Sequence, residues 1–445
     1  MADPEIGVTP YWELTFDADG DVDGRQRDRL LAEAGQRGVR DLVVFAHGWN
    51  NDRSGATRLY SRFFEPFPAP APRARLGYVG VLWPSMRFSD EPIPDLPRSV
   101  ADGVSGVPAA ARPVLDKNTR HALLEVFPGR ATIVDQLARL LDQQPDETAS
   151  LAEFGRLVRL LVEMRPQGPQ AAFAADTLSE GVPQSDPAML FGDTGAVCGE
   201  FAAALAQVEG GAAGAEAVAA GPRLWDGGKE LLRQATYFAM KRRAGTVGER
   251  GLGRALGELA RTAPDVRVHL VGHSFGARLV SFALRGLPEG VRTVKSVTLL
   301  QGAFSHYAFA ARLPHDDRAS GVLHGQYKRI DGPLVCCHSR HDSALGTFYP
   351  LASRMAGDSR SIAGFGIGSV LGTKWGALGY DGVQAVKGTR SFTLSEALRA
   401  QLPASGCVNV DAAAVVKRGG PPSGAHSDIC HEELARVVLA AGRIT

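Results

Sequence analysis

The sequence lacks a large net charge, a long apolar run and a secretion signal, each of which would indicate a class of function or location. Its 445 residues include 49 basic and 48 acidic side chains, so the formal net charge of +1 gives no sign of a nucleic-acid partner. No run of about 18 uncharged apolar residues occurs, and the first residues lack the basic and apolar regions of a secretion signal. We therefore expect a cytoplasmic protein with no integral membrane segment.

Cysteine is also scarce, with five residues in the whole chain. An odd number of cysteines cannot all pair within one chain, and in a chain of this length they indicate reduced, mostly buried thiols. No disulfide framework is expected. The cysteines are Cys198, Cys336, Cys337, Cys407 and Cys430.

Short apolar runs alternate with helical patterns along much of the chain, which is typical of a buried parallel sheet. Strands are predicted over residues 11–16, 41–46, 76–83, 266–271, 294–300, 334–337 and 407–410. Helices are predicted over residues 25–37, 56–64, 235–243, 252–261, 277–284 and 432–441. The sequence therefore predicts an α/β fold with a doubly wound, mostly parallel sheet, formed by residues 1–85 and 229–445.

The alternation of strands and helices stops between residues 86 and 228. Helical patterns over residues 133–141 and 151–164 are separated there by segments rich in proline and glycine. We interpret residues 86–228 as a large, mostly helical insertion that forms a cap or lid on the sheet domain.

One motif carries a nucleophile. Gly272-His273-Ser274-Phe275-Gly276 fits the pattern G-x-S-x-G, in which a serine lies on a sharp turn between a strand and a helix. Glycine is abundant, with 52 residues, so the pattern alone is weak. It gains weight because it directly follows a predicted buried strand and opens a predicted helix, as the turn requires.

A serine hydroxyl needs a histidine to accept its proton and a carboxylate to orient that histidine. Asp342 follows the strand predicted over 334–337, so it should emerge at the carboxyl edge of the sheet. His426, in the loop after the last predicted strand, is the preferred base. His431 is its rival, but it is predicted to lie inside the last helix and farther from that edge. The chain order Ser274, Asp342, His426 is that of the α/β hydrolases.

Acyl transfer also needs hydrogen-bond donors for the oxyanion that forms on attack. The expected donors are the backbone N–H of Phe275 and a backbone N–H from the loop after the second predicted strand, for which Trp49 is preferred. Gly48 would let this loop turn toward the nucleophile. His47 and Asn50 are interpreted as side chains that pin the loop through hydrogen bonds.

With these residues in place, the chain resembles the serine hydrolases of the α/β hydrolase superfamily, and in particular a poorly characterised bacterial branch of lipase- and esterase-like proteins. The resemblance implies an eight-stranded sheet, a Ser-Asp-His triad and no metal cofactor. The long insertion before the nucleophile departs from it. The matching segments are Asp41–Asn51, Gly77–Pro84, Val266–Leu284, Leu334–Asp342 and His426–Ile429.

The resulting expectation is a hydrolase that cleaves a small-molecule or lipid carboxylic ester through an acyl-enzyme. A peptidase, a thioesterase or an acyltransferase would use the same groups, and an inactive hydrolase fold could serve as a binding module. A metal site is a further alternative, although no C-x₂-C pair is present and adjacent strand cysteines point to opposite faces. Its candidate ligands are Cys336, Cys337, His338, His341, Asp342, His426, Cys430 and His431.

Overall fold

The computed structural model describes residues 6–49, 53–86, 88, 114–162, 173–180, 188–210, 221–342, 344–345, 376–419 and 424–445. Its central feature is a sheet of eight strands in the order β1-β3-β2-β5-β6-β8-β10-β9, in which every neighbouring pair is parallel. A separate antiparallel pair joins β4 to β7. The strands are β1 (Tyr11–Thr15), β2 (Asp41–Ala46), β3 (Leu76–Leu82), β4 (Thr177–Ser179), β5 (Arg267–His273), β6 (Val294–Leu300), β7 (Ala319–Gly321), β8 (Pro333–His338), β9 (Arg390–Thr393) and β10 (Gly406–Asp411).

Helices connect most of these strands. A π-helical segment, Val247–Leu252, joins the two helices that precede β5. No helix among the described residues is long and apolar enough to cross a membrane. The helices are α1 (Gly24–Gln36), α2 (Arg53–Phe64), α3 (Lys117–Val126), α4 (Ala131–Gln143), α5 (Thr148–Leu161), α6 (Thr194–Gly210), α7 (Gly221–Thr246), α8 (Gly253–Thr262), α9 (Phe275–Gly286), α10 (Leu378–Asp381), α11 (Leu394–Arg399) and α12 (Glu432–Gly442).

The sheet is buried on both faces, which explains the continuous apolar runs of its strands. In β2, Leu42 and Val44 belong to one hydrophobic core, whereas Val43 and Phe45 belong to the core on the opposite face. Side chains alternate across a strand, so a strand covered on both faces must be apolar at every position. The parallel α/β architecture predicted from these runs is confirmed, and the seven predicted strands are present within two residues of their expected ends.

The eighth strand of the sheet, β9, was not predicted. It pairs only with β10 at the edge of the sheet, and three of its four residues are exposed. Only Phe392 is partly buried against a core, and one apolar residue in four leaves no alternating pattern in the sequence.

Between residues 86 and 228 the described segments contain helices α3 to α6, the start of α7 and the short strand β4. The predicted limit at residue 229 lies within α7, which continues without interruption across it. Strand β4 pairs with β7, which lies after β6 in the chain, so this region is hydrogen-bonded to the part of the protein that carries the sheet.

The sheet order sets the position of the candidate residues. Strands β2, β5, β6 and β8 are successive neighbours and all run in the same direction. Their carboxyl ends therefore meet at one edge, where side chains from distant parts of the sequence can approach each other.

Candidate active site

Ser274 lies on a sharp turn between β5 and α9. Its backbone has φ 54° and ψ −118°, a conformation that non-glycine residues rarely adopt. A β-carbon on Gly272 would collide with the backbone of Gly276 and Ala277, and one on Gly276 would collide with the carbonyl oxygens of Ala46 and His47. Both glycines of the motif are thus required by the close approach of backbone segments around the serine.

The three side chains predicted to form a triad are hydrogen-bonded in a chain. His426 Nδ1 lies 2.7 Å from Asp342 Oδ2, and His426 Nε2 lies 2.8 Å from Ser274 Oγ. A carboxylate accepts, so Nδ1 carries the proton and Nε2 presents its lone pair to the serine hydroxyl. This tautomer is the one needed to remove a proton from Ser274.

The three side chains of this hydrogen-bonded chain differ in solvent exposure. Asp342 is fully buried, and its second carboxylate oxygen accepts the backbone N–H of Leu345 at 3.1 Å. Ser274 is 5% exposed, and the side chain of His426 is 16% exposed. The carboxylate is therefore shielded from water, Ser274 is almost fully buried, and His426 is the most exposed of the three.

His431, the alternative candidate for the base, makes no side-chain hydrogen bond to Asp342 in the described part of the chain. It is the N-cap residue of α12 rather than a residue within that helix, and its Nε2 lies 2.9 Å from Asp428 Oδ1. The structure therefore brings Asp342 to His426 and pairs His431 with a different carboxylate.

The loop after β2 packs against Ser274. A β-carbon on Gly48 would lie 2.7 Å from the β-carbon of Ser274, so only glycine permits this approach. His47 Nδ1 donates to the carbonyl oxygen of Gly48 at 2.9 Å, and Trp83 Nε1 donates to the carbonyl oxygen of His47 at 3.0 Å. Because C=O and N–H point in opposite directions across a trans peptide, the His47 contact also fixes the direction of the Trp49 N–H.

Three other residues were predicted to belong to this site. Phe275 is the first residue of α9, and the first N–H groups of a helix have no carbonyl partner within it. Asn50 lies outside the described residues. His273 is buried beside Ser274, and its Nε2 donates to the backbone carbonyl oxygen of His426 at 2.8 Å.

An aromatic cluster beside Ser274 was not predicted from the sequence. The ring of Tyr237, on α7, lies 4.7 Å from that of Phe275 and 5.5 Å from that of Trp49. Tyr237 and Trp49 are both half-buried. Burial holds the pKa of Tyr237 well above its ordinary value. The phenol therefore stays neutral at the pH values at which proteins work.

A buried ionic cluster one helical turn from Ser274 was also not predicted. Arg278, one turn after Ser274, is bound to Asp176. Lys241 Nζ contacts the other carboxylate oxygen of Asp176 at 2.7 Å, and the backbone N–H of Ser305 donates to that same oxygen at 3.0 Å. Burial lowers the pKa of Lys241, against the pull of Asp176. The cluster joins α7 and α9 to the loop after β6.

A second chain of Ser, His and Asp occurs at the opposite edge of the sheet. His269 Nε2 lies 3.0 Å from Asp41 Oδ1, and its Nδ1 lies 2.9 Å from Ser296 Oγ. Ser296 and His269 are fully buried, and Asp41 begins β2 at the amino edge. This chain links β2, β5 and β6 and offers no access to a substrate.

The metal alternative gains no support from the placement of its ligands. Cys336 belongs to the core on one face of the sheet and Cys337 to the core on the other, so the two thiols diverge. Burial raises the pKa of Cys337 to about 12, which disfavours the thiolate that binds metals. No group of three or more His, Cys, Asp or Glu side chains in the described part of the chain is arranged to hold a metal ion.

Comparison with known proteins gives no relative. No family model, no curated protein and no solved structure matches the chain.

Proposed function

We propose that the chain is a serine hydrolase of α/β-hydrolase type that cleaves carboxylic esters through a covalent acyl-enzyme. The observation that carries this proposal is the continuous hydrogen-bonded chain from Ser274 Oγ through His426 to Asp342, with Ser274 in a strained turn at the carboxyl edge of a parallel sheet. Geometry of this kind, rather than sequence position, identifies a catalytic triad.

In the proposed reaction, Ser274 Oγ attacks the ester carbonyl carbon while its proton passes to His426 Nε2. Asp342 stabilises the imidazolium that results. Collapse of the tetrahedral intermediate breaks the bond to the alcohol oxygen, which takes the proton from His426. Water then attacks the acyl carbon and gives one proton to the same nitrogen. Collapse of this second intermediate breaks the bond to Ser274 Oγ, which takes that proton from His426 as the acid is released.

The oxyanion of both intermediates would be bound by the backbone N–H groups of Phe275 and Trp49. The first of these belongs to the amino end of α9, where the helix dipole favours negative charge. The second lies on the loop that packs against Ser274 through Gly48. Each such donor contributes roughly 10²- to 10³-fold in turnover.

The proposed substrate is a small-molecule or lipid ester with an apolar acyl group. The half-buried rings of Trp49 and Tyr237 support this class, because they give an apolar surface beside the expected oxyanion site. We propose that the helices of residues 86–228 act as the cap that shields this group from water. The cytoplasmic location expected from the sequence stays a prediction.

The proposal is tested first with a fluorophosphonate probe, which phosphonylates an activated serine with loss of fluoride. We expect one label, on Ser274, and a decrease of about 10⁶-fold in turnover for Ser274→Ala. Ser296→Ala is the matched control, because Ser296 has a similar Ser-His-Asp chain but is 0% exposed. Labelling that persists in Ser274→Ala would contradict the assignment.

The substrate class is tested by hydrolysis of p-nitrophenyl esters from acetyl to palmitoyl, beside a phospholipid, an acyl thioester and a peptide amide. Ser274→Ala is measured on each substrate as the blank. We expect the ester series to be cleaved fastest. A thioester or amide that exceeds every ester would retain the triad and replace the substrate class, whereas no turnover with full probe labelling would favour a binding role.

A further inference from the structure

The histidine next to the nucleophile makes a contact that a serine hydrolase does not require. His273 ends β5 and is 4% exposed, with its ring centroid 5.1 Å from that of His426. Its Nε2 lies 2.8 Å from the backbone carbonyl oxygen of His426. Because a carbonyl oxygen only accepts, the proton of the His273 ring must be on Nε2.

The same ring is held in one protonation state. A β-carbon on Gly48 would lie 3.0 Å from His273 Nδ1, so the loop after β2 covers that nitrogen. Nδ1 has no hydrogen-bond partner in the described part of the chain, and a second proton there would be buried and charged beside His426. Burial, reinforced by His426, lowers the pKa of His273 to about 3. The neutral form with the proton on Nε2 therefore persists wherever a triad would operate.

The loop that carries His426 is tied on both sides of that residue. On one side, the N–H of Ala425 donates to the carbonyl oxygen of His341 at 2.9 Å. On the other, the carbonyl oxygen of His426 accepts from His273. His341 directly precedes the acid Asp342, and His273 directly precedes the nucleophile Ser274. The backbone of the base is thus fixed to the element of each of its two partners.

We propose that His273 is a positioning residue, which holds the His426 loop so that Nε2 of the base stays within hydrogen-bonding distance of Ser274. This inference rests on the proposed function. The triad distances of 2.8 and 2.7 Å depend on the backbone position of His426, which lies 152 residues after Ser274 and 84 residues after Asp342 in the sequence. A displacement of about 1 Å at a reacting group can cost roughly 100-fold in rate.

The test compares two amide side chains of different length. In His273→Gln the amide nitrogen reaches about the position of Nε2 and can donate to the carbonyl oxygen of His426, whereas in His273→Asn it reaches only about the position of Nδ1. We expect kcat to fall by about 10- to 100-fold in His273→Asn and by less than about 5-fold in His273→Gln, with KM within about threefold in both. A packing role alone would lower the unfolding midpoint of His273→Asn, whose side chain is smaller, and leave kcat per folded enzyme unchanged.

A double-mutant comparison adds a second readout. If His273 acts through His426, His273→Asn should cost less than about twofold in a His426→Ala background, because the group that it positions is gone. Unfolding midpoints are measured for all variants, so that a loss of folded protein is not counted as a loss of kcat.

Each outcome has a distinct meaning. Equal kcat for the two amide variants, or an undiminished cost in the His426→Ala background, would overturn the positioning role. The proposed function fails separately, either if fluorophosphonate labelling persists in Ser274→Ala or if a fully labelled protein turns over none of the substrates. His273 can therefore be wrong as a positioning residue while the triad stands.

Discussion

Gly48 packs directly against Ser274, with the α-carbon of the glycine turned so that an added β-carbon would lie 2.7 Å from the β-carbon of the serine. This contact joins the loop after β2 to the turn after β5. It brings Trp49 and Phe275, whose N–H groups are the expected oxyanion donors, close together beside Ser274, with their ring centroids 6.2 Å apart. The contact also makes the proposed oxyanion site sensitive to a single methyl group.

Gly48→Ala should therefore reduce kcat by about 10- to 100-fold, because the methyl group must push the loop and its N–H donor away from Ser274. The measurement is steady-state hydrolysis of a p-nitrophenyl ester, with labelling by the fluorophosphonate to show that the serine is still present and accessible. Gly24→Ala is the control, since Gly24 is exposed at the start of α1 and its nearest neighbour for an added β-carbon is 3.9 Å away. A Gly48→Ala enzyme with wild-type kcat would argue against this loop as an oxyanion donor.

The base can be assigned by comparing two histidines five residues apart. His426→Ala should lower kcat by about 10⁴- to 10⁶-fold, because Ser274 loses the group that accepts its proton. His431→Ala should leave kcat within about threefold and lower the free energy of unfolding by about 1 kcal/mol, since it loses only the hydrogen bond to Asp428. Both are measured by steady-state kinetics and urea unfolding. An inactive His431→Ala with an active His426→Ala would reverse the assignment.

The proposed role of Asp342 is tested by Asp342→Asn, which keeps the shape of the side chain and replaces one carboxylate oxygen with an amide N–H donor. In Asp342→Asn the amide can still accept the N–H of Leu345, but it no longer enforces the proton on His426 Nδ1. We expect kcat to fall by about 10⁴-fold with little change in folding.

Asp41→Asn is the control for that substitution, because Asp41 also binds a histidine but lies at the opposite edge of the sheet. It should lower the free energy of unfolding by a few kcal/mol, since a buried hydrogen-bonded charge is lost, and leave kcat within about threefold. Similar kcat losses for the two variants would mean that both act through stability.

The effects of Ser274→Ala and Asp342→Asn on kcat should be far from additive in the double mutant, because the three side chains work as a unit.

Much of the site could be predicted because its signals are local. The turn at Ser274 needs glycines at fixed positions on either side, and that requirement is visible within five residues. Asp342 and His426 were found by a topological rule, since residues that follow successive parallel strands emerge at one edge. The strands themselves were visible because burial on both faces leaves uninterrupted apolar runs.

What was missed depends on contacts between distant parts of the chain. Arg278 and Asp176 are 102 residues apart, and their pairing follows from how the loop before β4 folds over α9. Tyr237 comes from the middle of α7, where a tyrosine has no pattern that points to Ser274. Strand β9 is short and exposed at the sheet edge, so it lacks the apolar alternation on which strand prediction rests.

Stability should fall as the pH decreases below about 6.5, in part because two histidines are buried in the neutral form. Burial lowers the pKa of His273 to about 3 and also lowers the pKa of His269, although Asp41 acts in the opposite direction on the latter. In the unfolded chain these side chains bind protons below about pH 6.5, which the folded chain does not accept. The unfolded state then binds more protons, so the free energy of unfolding rises with pH across this window.

The contribution of His273 can be isolated by substitution. Each such histidine adds up to about 1.4 kcal/mol per pH unit between pH 6.5 and its folded pKa, and this contribution is absent above pH 7, where both states are neutral. Urea unfolding is measured at pH 7, 6 and 5. The free energy of unfolding should depend less steeply on pH in His273→Gln than in the wild type, and between pH 6 and 5 the difference in slope should correspond to about one bound proton. His121→Gln is the control for the substitution itself, because that side chain is 72% exposed on α3. An unchanged slope in His273→Gln would show that His273 accepts a proton in the folded protein and that its ring is less confined than the contacts with Gly48 and His426 require.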